Sequence, residues 1–271
     1  MNAYETMIKT NYDLIRGCNL SKLEKENVAE RLMSARNSGM HIKYISEGGK
    51  TFSKRIPVGK SQMAPQFFVQ PYNGGKRPKT ILGQTPKTGI LADNMYELEI
   101  LRLLELLCPE EPTVQAMVES TLDRLRSTCF GAQDDGVGEC FDASLVVLRF
   151  LITVAPHEVR WIESRIENYN RHVNEKKRPW FAQWYYWLCM SEMPFEFAKG
   201  EIDKYKDEII YRLSDRSLCL NSEKDKILHP VLMCILRNIL SQYQEYEYIR
   251  DRQPYVSQKD GRLHFNMVKV F

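Results

Sequence analysis

PWFAQWYYWLC, at residues 179–189, and EIDKYKDEIIYRL, at residues 201–213, show most clearly which helices are buried and which are half exposed. At helical spacing the first has apolar side chains on two faces, which predicts a helix buried on both sides. The second has a single apolar stripe at Ile202, Tyr205, Ile209 and Leu213. Its other positions are mostly charged or polar, as is typical of a helix that packs on one side only. The two stretches therefore predict an inner helix followed by an outer one.

The same alternation recurs along residues 93–245, where amphipathic stripes predict seven helices. Pro109, Pro156 and Pro194 each follow an apolar helix and precede a more charged one, and proline readily ends one helix and opens the next. The prolines lie 47 and 38 residues apart, close to the period of two-helix repeats of the HEAT and armadillo kind. We therefore predict a mainly α protein with a helical-repeat domain of paired antiparallel helices, either an open α-solenoid or a closed α/α toroid.

The chain before this region shows mixed patterns. Residues 4–16 and 21–36 predict two short helices. Ser21, with Glu24 three positions later, predicts a capping box at the start of the second helix. Residues 40–46 alternate between apolar and polar side chains as a strand does. We therefore expect a small α/β section at the N-terminus.

A segment rich in Gly and Pro follows, and its charge is strongly one-sided. Residues 48–92 contain eight basic residues and no acidic ones. Because a structureless loop of this length is unusual inside a compact domain, we expect short strands or an arm that is fixed to the core. The basic residues of this arm are Lys50, Lys54, Arg55, Lys60, Lys76, Arg77, Lys79 and Lys87.

Two interpretations of the basic arm remain open. Together with the aromatic residues among them, the cations suit the backbone and bases of a nucleic acid, or another polyanion. Alternatively, the cations keep an exposed arm hydrated, or they dock on the protein's own acidic helices. The candidate binding residues of the arm are Lys54, Arg55, Lys76, Arg77 and Lys79.

The C-terminal residues 255–271 predict a β-hairpin, because two short alternating runs flank Asp260 and Gly261. With this hairpin the chain divides into three predicted sections. They are residues 1–92 with the N-terminal helices, short strands and basic arm, residues 93–250 with the helical-repeat domain, and residues 251–271 with the hairpin.

Composition and cysteine usage exclude several classes of protein. Of the 271 residues, 43% are apolar and 27% are charged, which excludes collagen-like and wholly disordered chains. No stretch reaches the roughly 18 uncharged apolar residues that a membrane span needs. The seven cysteines form no CxxC or CxxH pair, and the start of the chain has no apolar signal region. These features predict a cytoplasmic protein with reduced thiols, and neither a metal nor a cofactor is expected.

Acidic residues collect just before and within the first turn of the helix predicted at residues 141–152. In stacked helix pairs the first helices run parallel, so their N-termini gather at one end, together with Trp180 and the predicted helix boundary at His229 and Pro230. Carboxylates there suit acid/base hydrolysis of a glycan, with the indole as a stacking platform. Alternatively, acidic side chains only stabilise helix N-termini by capping and through the macrodipole. The candidate catalytic residues are Asp134, Asp135, Glu139 and Asp142.

Cys140 opens the same predicted helix after a Gly-rich turn, a place where nucleophilic thiolates are found. No histidine stands beside it in a recognisable catalytic setting. The alternative is a packed thiol whose pKa is raised by the neighbouring Glu139 and Asp142.

Taken together, these patterns favour a non-catalytic cytosolic interaction module. Its helical-repeat groove, with Trp180 at the rim, or its basic arm would bind a protein or polyanionic partner. The first alternative is an α/α-toroid enzyme that acts on a glycan through the acidic residues. The second alternative is a nucleic-acid-binding protein that uses the basic arm.

Overall fold

A computed structural model describes the following parts of the chain: residues 1–36, 43–45, 51–53, 68–69, 77–87, 89–132, 138–175, 180–214, 216–219, 223–252, 256–259 and 262–265. The fold is mainly helical. The chain divides into two compact units. Unit 1 is Met1–Thr10 with Leu20–Lys177, and unit 2 is Asn11–Asn19 with Arg178–Phe271.

Unit 1 contains most of the helices and one pair of short strands. Its elements are the first part of α1 (Ala3–Arg16), α2 (Lys22–Met33), β1 (Lys43–Ile45), β2 (Thr51–Ser53), α3 (Gly89–Leu107), α4 (Pro112–Leu125), α5 (Cys129–Ala132), α6 (Glu139–Val154) and α7 (Val159–Glu175). β1 and β2 pair antiparallel, with Tyr44 opposite Phe52. The predicted capping box is confirmed, since the Ser21 hydroxyl accepts from the backbone of Glu24 and the Glu24 carboxylate accepts from the backbone of Ser21.

The core of unit 1 lies around α3 and α6. α3 packs against α2, α4 and α6, and α6 also packs against α5 and α7. Every residue of α6 from 143 to 152 is buried, because the helix has neighbours on more than one side. α7 buries a single stripe at Ile162, Arg165, Asn168, Tyr169 and Val173. The burial pattern predicted for an inner and an outer helix is therefore confirmed for this pair.

Unit 2 is built around a second largely buried helix. Its elements are the rest of α1, then α8 (Trp180–Glu192), α9 (Phe195–Asp203), α10 (Lys206–Leu213), β3 (Arg216–Cys219), α11 (Glu223–Leu240), a 3-10 helix (Gln244–Ile249), β4 (Val256–Lys259) and β5 (Arg262–Phe265). α8 packs against α9 and α11, and α11 also packs against α10. Pro194 caps the N-terminus of α9, at the boundary that the sequence predicted.

The prediction of one continuous outer helix at residues 201–213 is wrong. This stretch is divided into α9 and α10 by a turn in which the Tyr205 N–H donates to the carbonyl of Ile202. The predicted stripe is nevertheless buried, and the Tyr205 ring packs edge-on against Trp187 at 6.2 Å between centroids. An apolar stripe predicts which side chains are buried, but it does not predict that the helix is continuous. A turn that keeps the same side chains on the core side produces the same pattern.

The helix boundary predicted at His229 and Pro230 is also wrong. α11 begins at Glu223 and runs through Pro230 to Leu240. A proline inside a helix removes one backbone hydrogen bond, which is why the sequence favoured a boundary there. The apolar residues on both sides of it, Leu228 and Val231, are buried, and their packing offsets the lost bond.

The C-terminal strands belong to a three-stranded antiparallel sheet with the order β3-β5-β4. β4 pairs with β5 so that Lys259 lies opposite Arg262, and β5 pairs with β3 so that Cys219 also lies opposite Arg262. β3 was not predicted from the sequence. The predicted hairpin turn at residues 260–261, and residues 266–271, lie outside the described residues. No helix within the described ranges combines the length and the apolar character that crossing a membrane requires.

Candidate functional site

The N-terminus of α6 holds two of the predicted catalytic residues, and one of them has a structural role. Gly138 precedes the helix with a φ of +60°, a backbone conformation that glycine adopts without strain. The Glu139 carboxylate accepts a hydrogen bond from the backbone N–H of Lys87. The Arg77 guanidinium donates to the carbonyls of Lys87 and of Pro86, the latter at 3.3 Å. Glu139 and Arg77 therefore hold the end of the basic arm in place.

Asp142 lies one turn after Glu139, on the same face of α6. The pKa of Asp142 is raised to about 6, mainly by burial and also by the charge of Glu139, against the opposing charge of Lys87. Burial also raises the pKa of Asp93, in α3, against the opposing charge of Arg77. Asp93 interacts with Arg77, and Glu139 and Asp142 interact with Lys87; we call these three carboxylates the acidic cluster. Asp134 and Asp135, the other predicted members, lie outside the described residues.

The raised pKa of Asp142 predicts an unusual pH dependence of stability. Between its ordinary 3.8 and about 6 the folded state binds more protons at this carboxyl than the unfolded state does, so stability falls as the pH rises. Asp142→Asn is expected to raise the Tm by roughly 2 to 6 °C at about pH 7, because the buried charge is removed. Below the unfolded pKa both side chains are neutral, and the two proteins should melt together.

Thermal melts across this pH range check the prediction. Asp123→Asn is the matched control, since Asp123 is an exposed carboxylate that pairs with Arg126 at 2.9 Å. An equal stabilisation of both variants, or a gain for Asp142→Asn that persists at low pH, would contradict the assignment to Asp142.

The basic arm is fixed to unit 1 at the points that the structure describes. The Val69 N–H donates to the buried Glu97 carboxylate of α3 at 3.1 Å, and Glu97 also pairs with Arg124. The backbone N–H of Lys79 donates to the Tyr4 hydroxyl at 3.0 Å, and the Lys79 side chain is exposed. Lys54, Arg55 and Lys76, the other predicted binding residues, lie outside the described residues.

The aromatic run of α8 is divided between core and surface. Trp180 is 47% exposed, whereas Phe181, Trp184, Tyr185, Tyr186 and Trp187 are buried. Beneath Trp180 the rings are closely packed, with 6.4 Å between the Trp180 and Trp184 centroids and 5.0 Å between Trp184 and Trp187. The Arg212 guanidinium lies 5.7 Å and 5.4 Å from the last two rings and is held by Glu208 at 2.9 Å. Trp180 therefore packs on Trp184, whose own position is fixed by Trp187 and Arg212.

Helix directions place two more exposed apolar side chains at the same end of unit 2 as Trp180. Gln183 of α8 donates to Glu208 of α10, whereas Trp187 packs on Tyr205, so the two helices run antiparallel. The end of α8 meets the end of α11 where Gln242 donates to the Met190 carbonyl, so these two helices begin at the same end. Trp180, Tyr211 and Ile227 consequently lie at one end of unit 2, which we call the apolar end.

A second thiol lies beside Cys140, and no pattern in the sequence predicted it. The Sγ atoms of Cys129 and Cys140 are 3.8 Å apart. Burial raises the pKa of Cys140, and Cys129 and the charge of Glu139 raise it further. The predicted effect of Glu139 on this thiol is thus confirmed. Two cysteines 11 residues apart around a Gly-rich stretch can lie close together or far apart. Only the structure shows that these two thiols are neighbours.

Among the described side chains, no three His, Cys, Asp or Glu residues are grouped so that they could hold a metal ion. No protein-family model, no curated protein and no solved structure matches this chain.

Proposed function

We propose that the chain is a non-catalytic interaction module that binds a protein partner through the apolar end of unit 2. One observation carries the proposal: Trp180 is half exposed on a helix whose other aromatic side chains are buried. Tryptophan and tyrosine are enriched in protein interfaces, where a few large side chains supply most of the affinity. Trp180 and Tyr211 offer two such side chains at one end of the unit.

The packing beneath Trp180 supports its role as an anchor. A side chain that is already ordered loses little conformational entropy when a partner binds. Trp184, Trp187 and Arg212 supply that order, because their rings and guanidinium are packed together and Glu208 holds the cation. The proposal includes a helical-repeat arrangement in which α8 is an inner helix, with Trp180 at the rim of its groove, and a cytoplasmic location.

Trp180→Ala tests this proposal with a phage-displayed library of random peptides as the probe. Peptides selected on the wild-type chain are expected to bind Trp180→Ala about tenfold or more weakly, since an anchor residue accounts for at least that loss. Tyr248→Ala is the matched control, because Tyr248 is also an exposed aromatic side chain of unit 2, 53% exposed and outside the apolar end. Peptide titrations by fluorescence anisotropy measure both losses.

Two results would contradict the proposal. One is a library that yields no peptide bound by the folded wild-type chain. The other is a set of peptides that bind both variants as tightly as the wild type, which would place the binding surface elsewhere. A circular dichroism spectrum of each variant shows whether a loss of binding reflects a loss of fold.

A glycan-hydrolysing enzyme is the second candidate, and Asp142 is the observation that favours it. A carboxyl whose pKa is about 6 can serve as a general acid near neutral pH, and Glu139 lies on the same helix face. Against this role, Glu139 already accepts a hydrogen bond from Lys87.

A thermal-shift screen with oligosaccharides, heparin and single-stranded DNA separates the candidates, because a bound ligand raises the Tm by mass action. A salt-insensitive shift with a sugar favours the enzyme, and a shift with the polyanions that high salt removes favours the basic arm.

A further inference from the structure

We propose that Cys129 and Cys140 form a redox-active thiol pair that closes to a disulfide when a low-molecular-weight disulfide is present. Their Sγ atoms are 3.8 Å apart, and a disulfide bond brings two sulfurs to about 2.05 Å. Closure therefore requires a movement of less than 2 Å, which a rotation about the side-chain bonds and a small backbone shift can supply. This inference is independent of the proposed protein-binding function.

Hydrogen bonds hold the chain on both sides of the pair, through backbone carbonyls in α5 and through a side chain at the start of α6. In α5, the Gly131 carbonyl accepts from the Trp161 indole at 2.6 Å, and the Ala132 carbonyl accepts from Arg165 at 3.3 Å. At the start of α6, Glu139 is held by the backbone N–H of Lys87. The short distance between the sulfurs is thus a property of two anchored helix segments of unit 1.

Accessibility assigns different roles to the two thiols. Cys129 is exposed, whereas Cys140 is partly buried, and burial, Cys129 and the Glu139 charge together raise its pKa. A thiolate is the attacking form in thiol–disulfide exchange, and access decides which thiol meets the oxidant. We therefore assign Cys129 as the thiol that attacks the small disulfide and Cys140 as the thiol that resolves the product.

The exchange balances in two steps. The Cys129 thiolate attacks one sulfur of a disulfide such as oxidised glutathione, which forms a mixed disulfide and releases one small thiolate that takes up a proton. Cys140 then loses its proton and attacks the Sγ of Cys129, which releases the second small thiol. In sum, two protein thiols are oxidised to one disulfide, and one small disulfide is reduced to two small thiols.

The new bond would close a ring of residues 129–140 and connect α5 covalently to the start of α6. A crosslink stabilises the folded protein chiefly by restricting the unfolded chain, so the Tm is expected to rise by roughly 3 to 8 °C. Reduction with dithiothreitol should return the Tm to its initial value. The pair would then couple the stability of the acidic cluster's helix to the thiol–disulfide balance of its surroundings.

The experiment incubates the 271-residue chain with oxidised glutathione, blocks the remaining thiols by alkylation and identifies the products by peptide mass spectrometry. The expected product is an internal Cys129–Cys140 disulfide without bound glutathione. In Cys140→Ser the exchange stops after the first step, and Cys129 should accumulate as a mixed disulfide. Cys18 is the internal control, since it is an exposed thiol that should carry glutathione in every variant.

Two outcomes would overturn the proposal. In the first, wild-type Cys129 retains glutathione and no Cys129–Cys140 disulfide forms, so Cys140 does not resolve it. In the second, Cys18 reacts while Cys129 and Cys140 both remain alkylated. Because both outcomes are measured on the wild-type chain, a variant that fails to fold does not prevent the test.

Discussion

Glu99→Leu lowers the free energy of unfolding by about 3 to 5 kcal/mol, as expected when one partner of a buried ion pair is removed. The Nη1 atom of Arg149 in α6 lies 2.8 Å and 2.7 Å from the two carboxylate oxygens of Glu99 in α3. Both side chains are 1% exposed. Without the carboxylate, the guanidinium remains in the core of unit 1 and loses the attraction of Glu99, which offsets much of its desolvation.

The double variant Glu99→Leu with Arg149→Met gives this prediction its sharpest form. Replacing a buried pair by apolar side chains of similar volume is often neutral, so the double variant should regain most of the lost stability. Arg126→Ala is the surface control, because Arg126 is about half exposed and its pairs with Asp123 and Glu158 contribute at most about 1 kcal/mol. Urea unfolding measures all four proteins.

If the free energy of unfolding of Glu99→Leu stays within about 1 kcal/mol of the wild-type value, the Glu99–Arg149 pair does not contribute the stability that we infer. A double variant that is less stable than Glu99→Leu would also contradict the argument. In that case the loss would come from packing at the interface of α3 and α6 and not from an uncompensated charge.

Arg237→Met is expected to lower the free energy of unfolding of unit 2 by about 2 to 4 kcal/mol. Arg237 is a buried cation of α11 that donates to three backbone carbonyls, those of Ile15 at 3.3 Å, Arg16 at 3.2 Å and Arg252 at 2.7 Å. The first two belong to the last turn of α1, where carbonyls lack helical partners and a cation is favoured by the helix dipole. The variant removes these bonds and that charge together.

Arg237→Lys separates the charge from the geometry. A lysine ammonium keeps the charge but cannot fork to separate carbonyls as the planar guanidinium does, so an intermediate loss is expected. Arg252→Ala is the control, because the Arg252 side chain is exposed and lies over the Tyr248 ring at 5.3 Å. Amide hydrogen exchange in α1 and α11 reads the effect locally. Faster exchange in α11 alone, with α1 unchanged, would show that the carbonyls of α1 do not depend on Arg237.

The sequence predicted the helices well, because the signals for a helix lie within a few neighbouring residues. The two-sided apolar run of α8, the capping box at Ser21 and the boundary at Pro194 are each encoded within a few positions. Pro230 shows where a local rule fails, since the packing of its neighbours outweighs the loss of one backbone bond.

Partners that are distant in sequence could not be predicted in the same way. Arg149 interrupts an apolar run, and its partner Glu99 lies 50 residues away. The acidic residues Glu139 and Asp142 were recognised as candidates, but the sequence could not show that Lys87 occupies Glu139 or that burial raises the pKa of Asp142. Pairings of this kind depend on how the helices pack, which a single sequence does not encode as a visible pattern.

The second part of α1 has a consequence for synthesis on the ribosome. Residues 11–19 belong to unit 2. The Ile15 carbonyl cannot accept its hydrogen bond from Arg237 until that residue, 222 positions later in the chain, has been synthesised. At a translation rate of roughly 5 to 20 residues per second, that interval is on the order of 10 to 45 s. Residues 11–19 thus emerge well before the rest of their unit. Closing so long a chain segment is also entropically slow, so unit 2 should fold after unit 1 has left the ribosomal tunnel.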